Sequence, residues 1–328
     1  MSQWIHELPA YILLGLTRGS MYALIALGYT LVYGVLQLIN FAHSEVFMFG
    51  AFGSYIVVHQ IVGAGGHQNP VGVVGVIAIG LLSGALVSTG IAWLLERVAY
   101  RPLRHRGAPK LAFLISAIGA SFFLVQLAGK LFNRFPGNAF PSYYQTDRRL
   151  FSIGTADVRV LQVLIIGTAV VTMFALDRVV SKTKLGRSIR GVAEDAPTAA
   201  LMGIDIDKTI SRTFIIGGAL AGVAGFLFAT AFGFGNTMGF DQGVKAFAAA
   251  VLGGIGNIRG AMLGGLLLGL AEAVVPPLPV VGIEWTDVVA FVVLVLVLIF
   301  RPTGLLGGRL GRAACIAATS PLRPRSSG

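Results

Sequence analysis

The sequence predicts an all-α fold, a polytopic transmembrane helical bundle of about eight to nine segments. Two observations carry this. The 328 residues are 55% hydrophobic and only 12% charged, with a mean hydropathy of +0.80, and a water-soluble domain of that size needs far more charged surface. Apolar runs recur along the chain, and a run of about 20 residues at 1.5 Å per residue matches the roughly 30 Å hydrocarbon core of a bilayer. The runs are continuously apolar, which favours helices over the alternating strands, about 9 to 11 residues long, of a membrane barrel.

Residues 1–10 lack the basic start of a secretory signal, so the first apolar segment, about 10–36, is expected to stay as a membrane anchor. The stretch "GVLQLINFAHSEVFMFGAF" (34–52) then places Asn40, His43, Ser44 and Glu45 within six positions. Asn40 suits a helix interior poorly because its amide competes for backbone hydrogen bonds, so a break is expected there. Ser44 would cap the next helix, with Glu45 in its first turn, where the helix dipole favours a carboxylate. Ionisable groups at membrane depth are also candidates for function. Further segments follow at about 45–63, 71–95, 111–132, 159–177 and 213–235. Residues 244–275, "VKAFAAAVLGGIGNIRGAMLGGLLLGLAEAVV", are too long for one ordinary span and are interrupted at "GNIRG", which predicts a broken helix, or hairpin, of two shorter pieces. The last span, about 287–300, stops at Arg301 and Pro302. Counting the hairpin as two crossings gives about nine. Residues 1–308 form the expected membrane domain, and 309–328, rich in Arg, Ser, Ala and Pro, a disordered tail.

The net charge of +11 does not read as a nucleic-acid surface, because the basic residues cluster beside apolar spans. Arg97, Arg101, Arg104, Arg106 and Lys110 form one group, the residues from Arg178 to Arg212 a second, and Arg301 onward a third. Positive charge is retained on the cytoplasmic side. This predicts an outside N-terminus, an outside loop at 133–158 and a cytoplasmic C-terminus, although Arg134, Arg148 and Arg149 run against the rule locally. Glycines four apart, such as Gly15 and Gly19, Gly80 and Gly84, Gly218 and Gly222, and Gly256, Gly260 and Gly264, let helices approach closely in a bundle.

Enzyme chemistry finds little support. "HSEVFMF" lacks the second histidine of a helical zinc site, no "GxSxG" elbow or Walker loop is present, and the single cysteine, Cys315, excludes an intrachain disulfide or multi-cysteine metal site. The loop at 181–213 mixes basic residues with Glu194, Asp195, Asp205 and Asp207. Within it Pro197 to Met202, closed by Gly203, carries the punctuation of a short helix, and a loop of this length is a natural docking element.

Four stretches are similar to one known family: 15–52, 183–205, 246–272 and 300–307 ("FRPTGLLG"). Their order and spacing resemble the LivH-type permease subunit of bacterial branched-chain amino-acid ABC importers. The resemblance implies a multi-pass inner-membrane protein that pairs with a LivM-type permease and two cytoplasmic ATPases, while a periplasmic binding protein delivers the solute. No cofactor is then bound directly, and ATP acts through the partners. The implied solute is leucine, isoleucine or valine, with urea, short amides or other amino acids as alternatives within the same importer class. Residues 183–205 correspond to the coupling loop that enters a cleft on the ATPase, through Gly186, Arg187, Arg190, Glu194, Asp195, Ala199 and Gly203. Ala199 and Gly203 keep the Ala-x-x-x-Gly spacing of importer loops, but Pro197 and Thr198 replace the leading Glu-Ala. Family members usually have glycine where this chain has Ser44. Candidates for the solute pathway are Asn40, Phe41, His43 and Glu45 at the first break and Asn257 and Arg259 at the second, broken helices being where transporters expose backbone groups and dipole ends. For the first group, capping the break is the competing role; for Arg259 it is anchoring the hairpin. A stand-alone channel or ion-driven carrier would need acids deep in the spans, and Glu45, Glu96 and Glu272 lie near predicted ends or breaks.

Overall fold

The computed structural model describes residues 2–38, 40–62, 70–132, 149–153, 156–278 and 282–307. The expected tail at 309–328 and most of the 133–158 loop lie outside them. The first helix, α1 (Ser2–Leu36), begins earlier than hydropathy indicates. Its 35 residues give about 52 Å at 1.5 Å per residue, well beyond the hydrocarbon core. It ends where Gln37 takes a left-handed conformation (φ 53) with its amide on the Tyr33 carbonyl at 2.7 Å, a helix stop that usually falls to glycine. The chain turns back and α2 (His43–Val62) starts. Ser44 does not cap it. Its hydroxyl donates back to the Phe41 carbonyl at 2.6 Å, and Glu45 does lie in the first turn.

Next comes α3 (Pro70–Leu95), continued by a π-turn (Glu96–Tyr100) and α4 (Arg101–His105). The wider turn swings Glu96 and Tyr100 inward, and both are buried. Glu96 accepts from Ser211 Oγ at 2.6 Å and from Arg104 at 3.2 Å, while Arg101, Arg104 and His105 all converge on Asp207. A strand pair, β1 (Arg149–Ile153) and β2 (Ala156–Arg159), lies between α5 (Lys110–Phe132) and α6 (Val160–Lys182). The 181–213 loop is almost wholly helical, forming α7 (Lys184–Glu194), α8 (Ala196–Leu201) and the start of α9 (Ile206–Phe232). The expected short helix is present, and Gly203 closes it at φ +83. The predicted break in 244–275 separates α10 (Met238–Gly253) from α11 (Ile258–Val274), and α12 (Thr286–Phe300) completes the chain.

Among the described residues, five helical stretches are long and apolar enough to cross a membrane: Trp4–Leu36, Val74–His105, Lys110–Phe132, Val160–Lys182 and Ile206–Phe232. Helices α1, α2 and α9 supply much of the core, with α3 and α11 packed on them, whereas α5 and α12 show one broad apolar face. Close packing follows the glycines. Gly15 and Gly19 of α1 lie against the backbone of Leu270 and Leu266 on α11, and Gly84 of α3 meets the Gly222 carbonyl of α9. Gly256, grouped with the packing glycines by its spacing, instead sits in the α10–α11 turn at φ +91 with open space around its Cα.

Among the described residues, the basic groups of 97–110 and 178–212, together with Arg301, gather at one end of the bundle. There the "RPTGLLG" stretch (301–307) after α12 straps the hairpin turn: Leu305 N and Leu306 N donate to the carbonyls of Leu252 and Gly253 at 2.8 and 3.1 Å. Farther from that end Lys245 bridges Glu272 (2.9 Å) and Asp287 (2.7 Å), and Arg18 approaches Glu272 at 3.7 Å.

Candidate transport site

The return segment after α1 brings α2 back inside the bundle. Tyr29 packs edge-on to His43 with ring centroids 5.0 Å apart. Tyr29 lies two turns before Leu36, so α2 starts about 10 Å in from the end of α1. Asn40, His43, Ser44 and Glu45 are all buried as a result.

A cleft of about 550 Å³ opens beside this first turn, within the range of ligand pockets. Its walls come from four places. Phe41, Ser44 and Glu45 belong to the break; Ile118, Ser121, Phe122, Val125 and Gln126 to α5; Asn236, Thr237, Phe240, Asp241 and Val244 to the entry and first turns of α10, with Tyr29 of α1 completing it. Glu45 Oε1 accepts from Ser121 Oγ at 3.2 Å and lies 3.4 Å from Ser44 Oγ, whereas its buried Oε2 has no hydrogen-bond partner. A buried carboxylate oxygen left unpaired costs several kcal/mol. Aromatic layers flank the cleft. On one side Phe52 stacks on Phe132 (4.2 Å) and meets Phe234 (5.1 Å); on the other Phe247 contacts Tyr29 (6.1 Å) and Phe41 (6.0 Å).

The sequence candidates do not converge on one place. Phe41 and Glu45 line this cleft. Asn40 accepts from Tyr100 Oη at 2.6 Å, which ties the return segment to the π-turn. His43 is wedged against α1 and α9, its Nε2 without a partner where a Cβ on Gly28 would intrude. Asn257 caps α11, accepting from Arg259 N (3.1 Å) and Gly260 N (3.2 Å), and donates to the Leu306 carbonyl at 2.7 Å. Arg259 pairs with Asp177 at 3.2 Å beside a second cleft of about 380 Å³ at the basic end. Of the residues expected to form a coupling loop, Gly186 and Ala199 are buried, as α7 packs on the bundle through Ile189 and Val192 and α8 through Ala199. Arg187, Arg190, Glu194, Asp195 and Gly203 are exposed. Arg190 also donates to the Val180 carbonyl. Sequence reasoning passed over Leu201 and Met202, 88% and 80% exposed at the tip, and the α5 and α10 walls of the cleft. The polar interruption "FGNTMGFDQ" (234–242) across the start of α10 was the available signal for part of those walls.

A family model described as the permease component of a branched-chain amino acid transport system matches residues 11–298. The chain belongs to this family. Among its relatives is the high-affinity branched-chain amino acid transport system permease protein BraD of Pseudomonas aeruginosa, 44% identical over 299 residues, covering 89% of this chain and 94% of that protein. LivH of Escherichia coli, described in the same words, is 41% identical over 299 residues, covering 89% and 93%. A shorter match, 36% over 133 residues and 38% of this chain, reaches the autoinducer 2 import system permease protein LsrC of Yersinia enterocolitica. Members of the branched-chain permease family are transport permease subunits rather than enzymes, and this chain is an integral inner-membrane permease of that kind.

Proposed function

We propose that this chain is the permease subunit of an ATP-driven importer that moves leucine, isoleucine or valine inward. The observation that carries the reading is the near full-length match to BraD and LivH. The implied partners are a LivM-type permease, two cytoplasmic ATPases and a periplasmic binding protein. The chain then crosses the membrane nine times, in α1, α2, α3 with its π-turn and α4, α5, α6, α9, α10, α11 and α12, with the basic end and the C-terminus in the cytoplasm. That count and orientation rest on hydropathy and on the basic clusters. Residues 1–308 form one membrane domain in this reading.

The cleft beside Glu45 is the segment of the solute path that this subunit supplies. Its aromatic layers act as gates that part in turn, so that the solute never meets an open pore. Helices α7 and α8 dock into the ATPases, and closure of the ATPases is passed to the bundle through α7, whose Arg190 holds the end of α6. Arg187, Glu194, Asp195 and Gly203 are exposed for that contact, and Leu201 and Met202 form its apolar tip.

Uptake of labelled leucine into vesicles holding the whole assembly tests the proposal. Uptake should require both ATP and the ATPases. Import that persists without either would point instead to a channel or an ion-driven carrier. Competition by isoleucine and valine, with none by urea or acetamide, separates the branched-chain reading from its alternatives within the importer class.

A further inference from the structure

We infer that Glu45 is the group that recognises a cationic nitrogen of the solute, so that the permease itself, and not only the delivering receptor, selects amines and amino acids over uncharged amides. The inference rests on the transport role proposed for the cleft and names the solute class that the cleft accepts.

Three features support it. Glu45 is completely buried, and its Oε2 has no partner although Oε1 is held by Ser121. An ammonium group donating to Oε2 supplies both the missing hydrogen bond and the opposite charge. A neutral amide supplies only the first. Second, the charge of the cleft is one-sided. Asp241 lies on the same lining, and no lysine, arginine or histidine is among the described lining residues. Third, glycine lets α10 close directly onto the carboxylate. Gly239 and Gly243, one turn apart on α10, face Glu45 and Ser44, and a Cβ at Gly239 would come within 2.9 Å of the Glu45 carboxyl carbon. The carboxylate of a zwitterion finds neutral donors in the amides of Gln126 and Asn236, and the apolar α5 wall receives an aliphatic chain.

The test uses the assembled importer in lipid nanodiscs, without the receptor, and reads equilibrium binding of radiolabelled leucine against unlabelled competitors. Isoamylamine, which is leucine without its carboxylate, should displace leucine within about tenfold of leucine itself. 4-Methylpentanoate, which lacks the ammonium group, and urea should fail at about 100-fold higher concentration. Glu45→Gln should weaken leucine binding by at least about 100-fold, and Glu45→Asp by much less. Gly239→Ala, which leaves the acid in the chain but fills its space, should weaken leucine binding too, and it serves if Glu45→Gln does not assemble. Equal displacement by isoamylamine and 4-methylpentanoate overturns the inference, as does leucine binding at the wild-type level in Glu45→Gln or in Gly239→Ala. Binding of isoamylamine by a wild-type assembly that imports no leucine would sink the transport proposal and leave this inference standing. Binding of neither amine-bearing compound would sink this inference.

Discussion

Single side chains at the breaks do separable jobs. Asn257 accepts two amide hydrogens at the start of α11 and hands its own amide to the strap at Leu306. Asn257→Ala should therefore lower stability by about 1 to 2 kcal/mol. Asn257→Asp should keep the cap and lose only the strap contact, which comparison of thermal unfolding in detergent can separate. Asp205 caps α9 by accepting from Lys208 N at 3.0 Å, and that backbone bond, with the Lys208 ammonium alongside, holds its carboxyl below the ordinary aspartate value. A depressed acid contributes above its unfolded value, about 3.9, and its contribution fades as pH falls through the lower folded value. The Lys208 amide resonance should hence stay fixed down to about pH 4 and shift only below it; a midpoint at or above that pH would contradict the cap. Asn40 and Ser44 were legible as residues of a break. What their side chains do was not, since the partners, Tyr100 and the Phe41 carbonyl, depend on how far the return segment dips into the bundle.

At the scale of elements, local chemistry was readable wherever punctuation was strong. Pro197 and Gly203 delimit α8, and the glycine-rich "GNIRG" separates α10 from α11. Depth and pairing were not readable. Hydropathy counts α2 as an ordinary span starting near position 45, yet its first turn is buried against Tyr29 because α1 runs two turns past it. Ser121 reads as one hydroxyl in an apolar helix until α5 is set beside α2, a pairing of distant segments that no short pattern encodes. The proposed coupling role of α7 and α8 lends itself to a direct check. Leu201→Asp with Met202→Asp should cut co-purification of the ATPases while leaving membrane insertion and thermal stability unchanged, because both side chains already face outward. Deletion of 197–203 should do the same more completely. Retained co-purification in either variant would remove α7 and α8 from the docking surface.

For the whole molecule, the proposed orientation rests on the charge distribution. The ion pairs of Asp207 and Glu96, the α7–α8 pair and the strap all sit at the end that carries the basic clusters, which the positive-inside rule assigns to the cytoplasm. In a chain whose Cys315 is replaced, a cysteine at Thr198 should react with an impermeant maleimide only from the cytoplasmic side, and one at Ser152 only from the outside. The fold class and the family were legible in composition, periodicity and ordered motifs. The cleft was legible only in its first wall, at Phe41 and Glu45, because the other walls arrive from α5 and α10 through tertiary packing. The most direct measurement of whether that cleft carries the solute is modification of Ser121→Cys, in the same cysteine-free background, by a small thiol reagent during ATP-driven leucine uptake by the assembled importer. The account predicts that modification stops import, that leucine delivered by the receptor slows the modification, and that receptor-stimulated ATP hydrolysis survives. Full labelling at position 121 with undiminished import would contradict it.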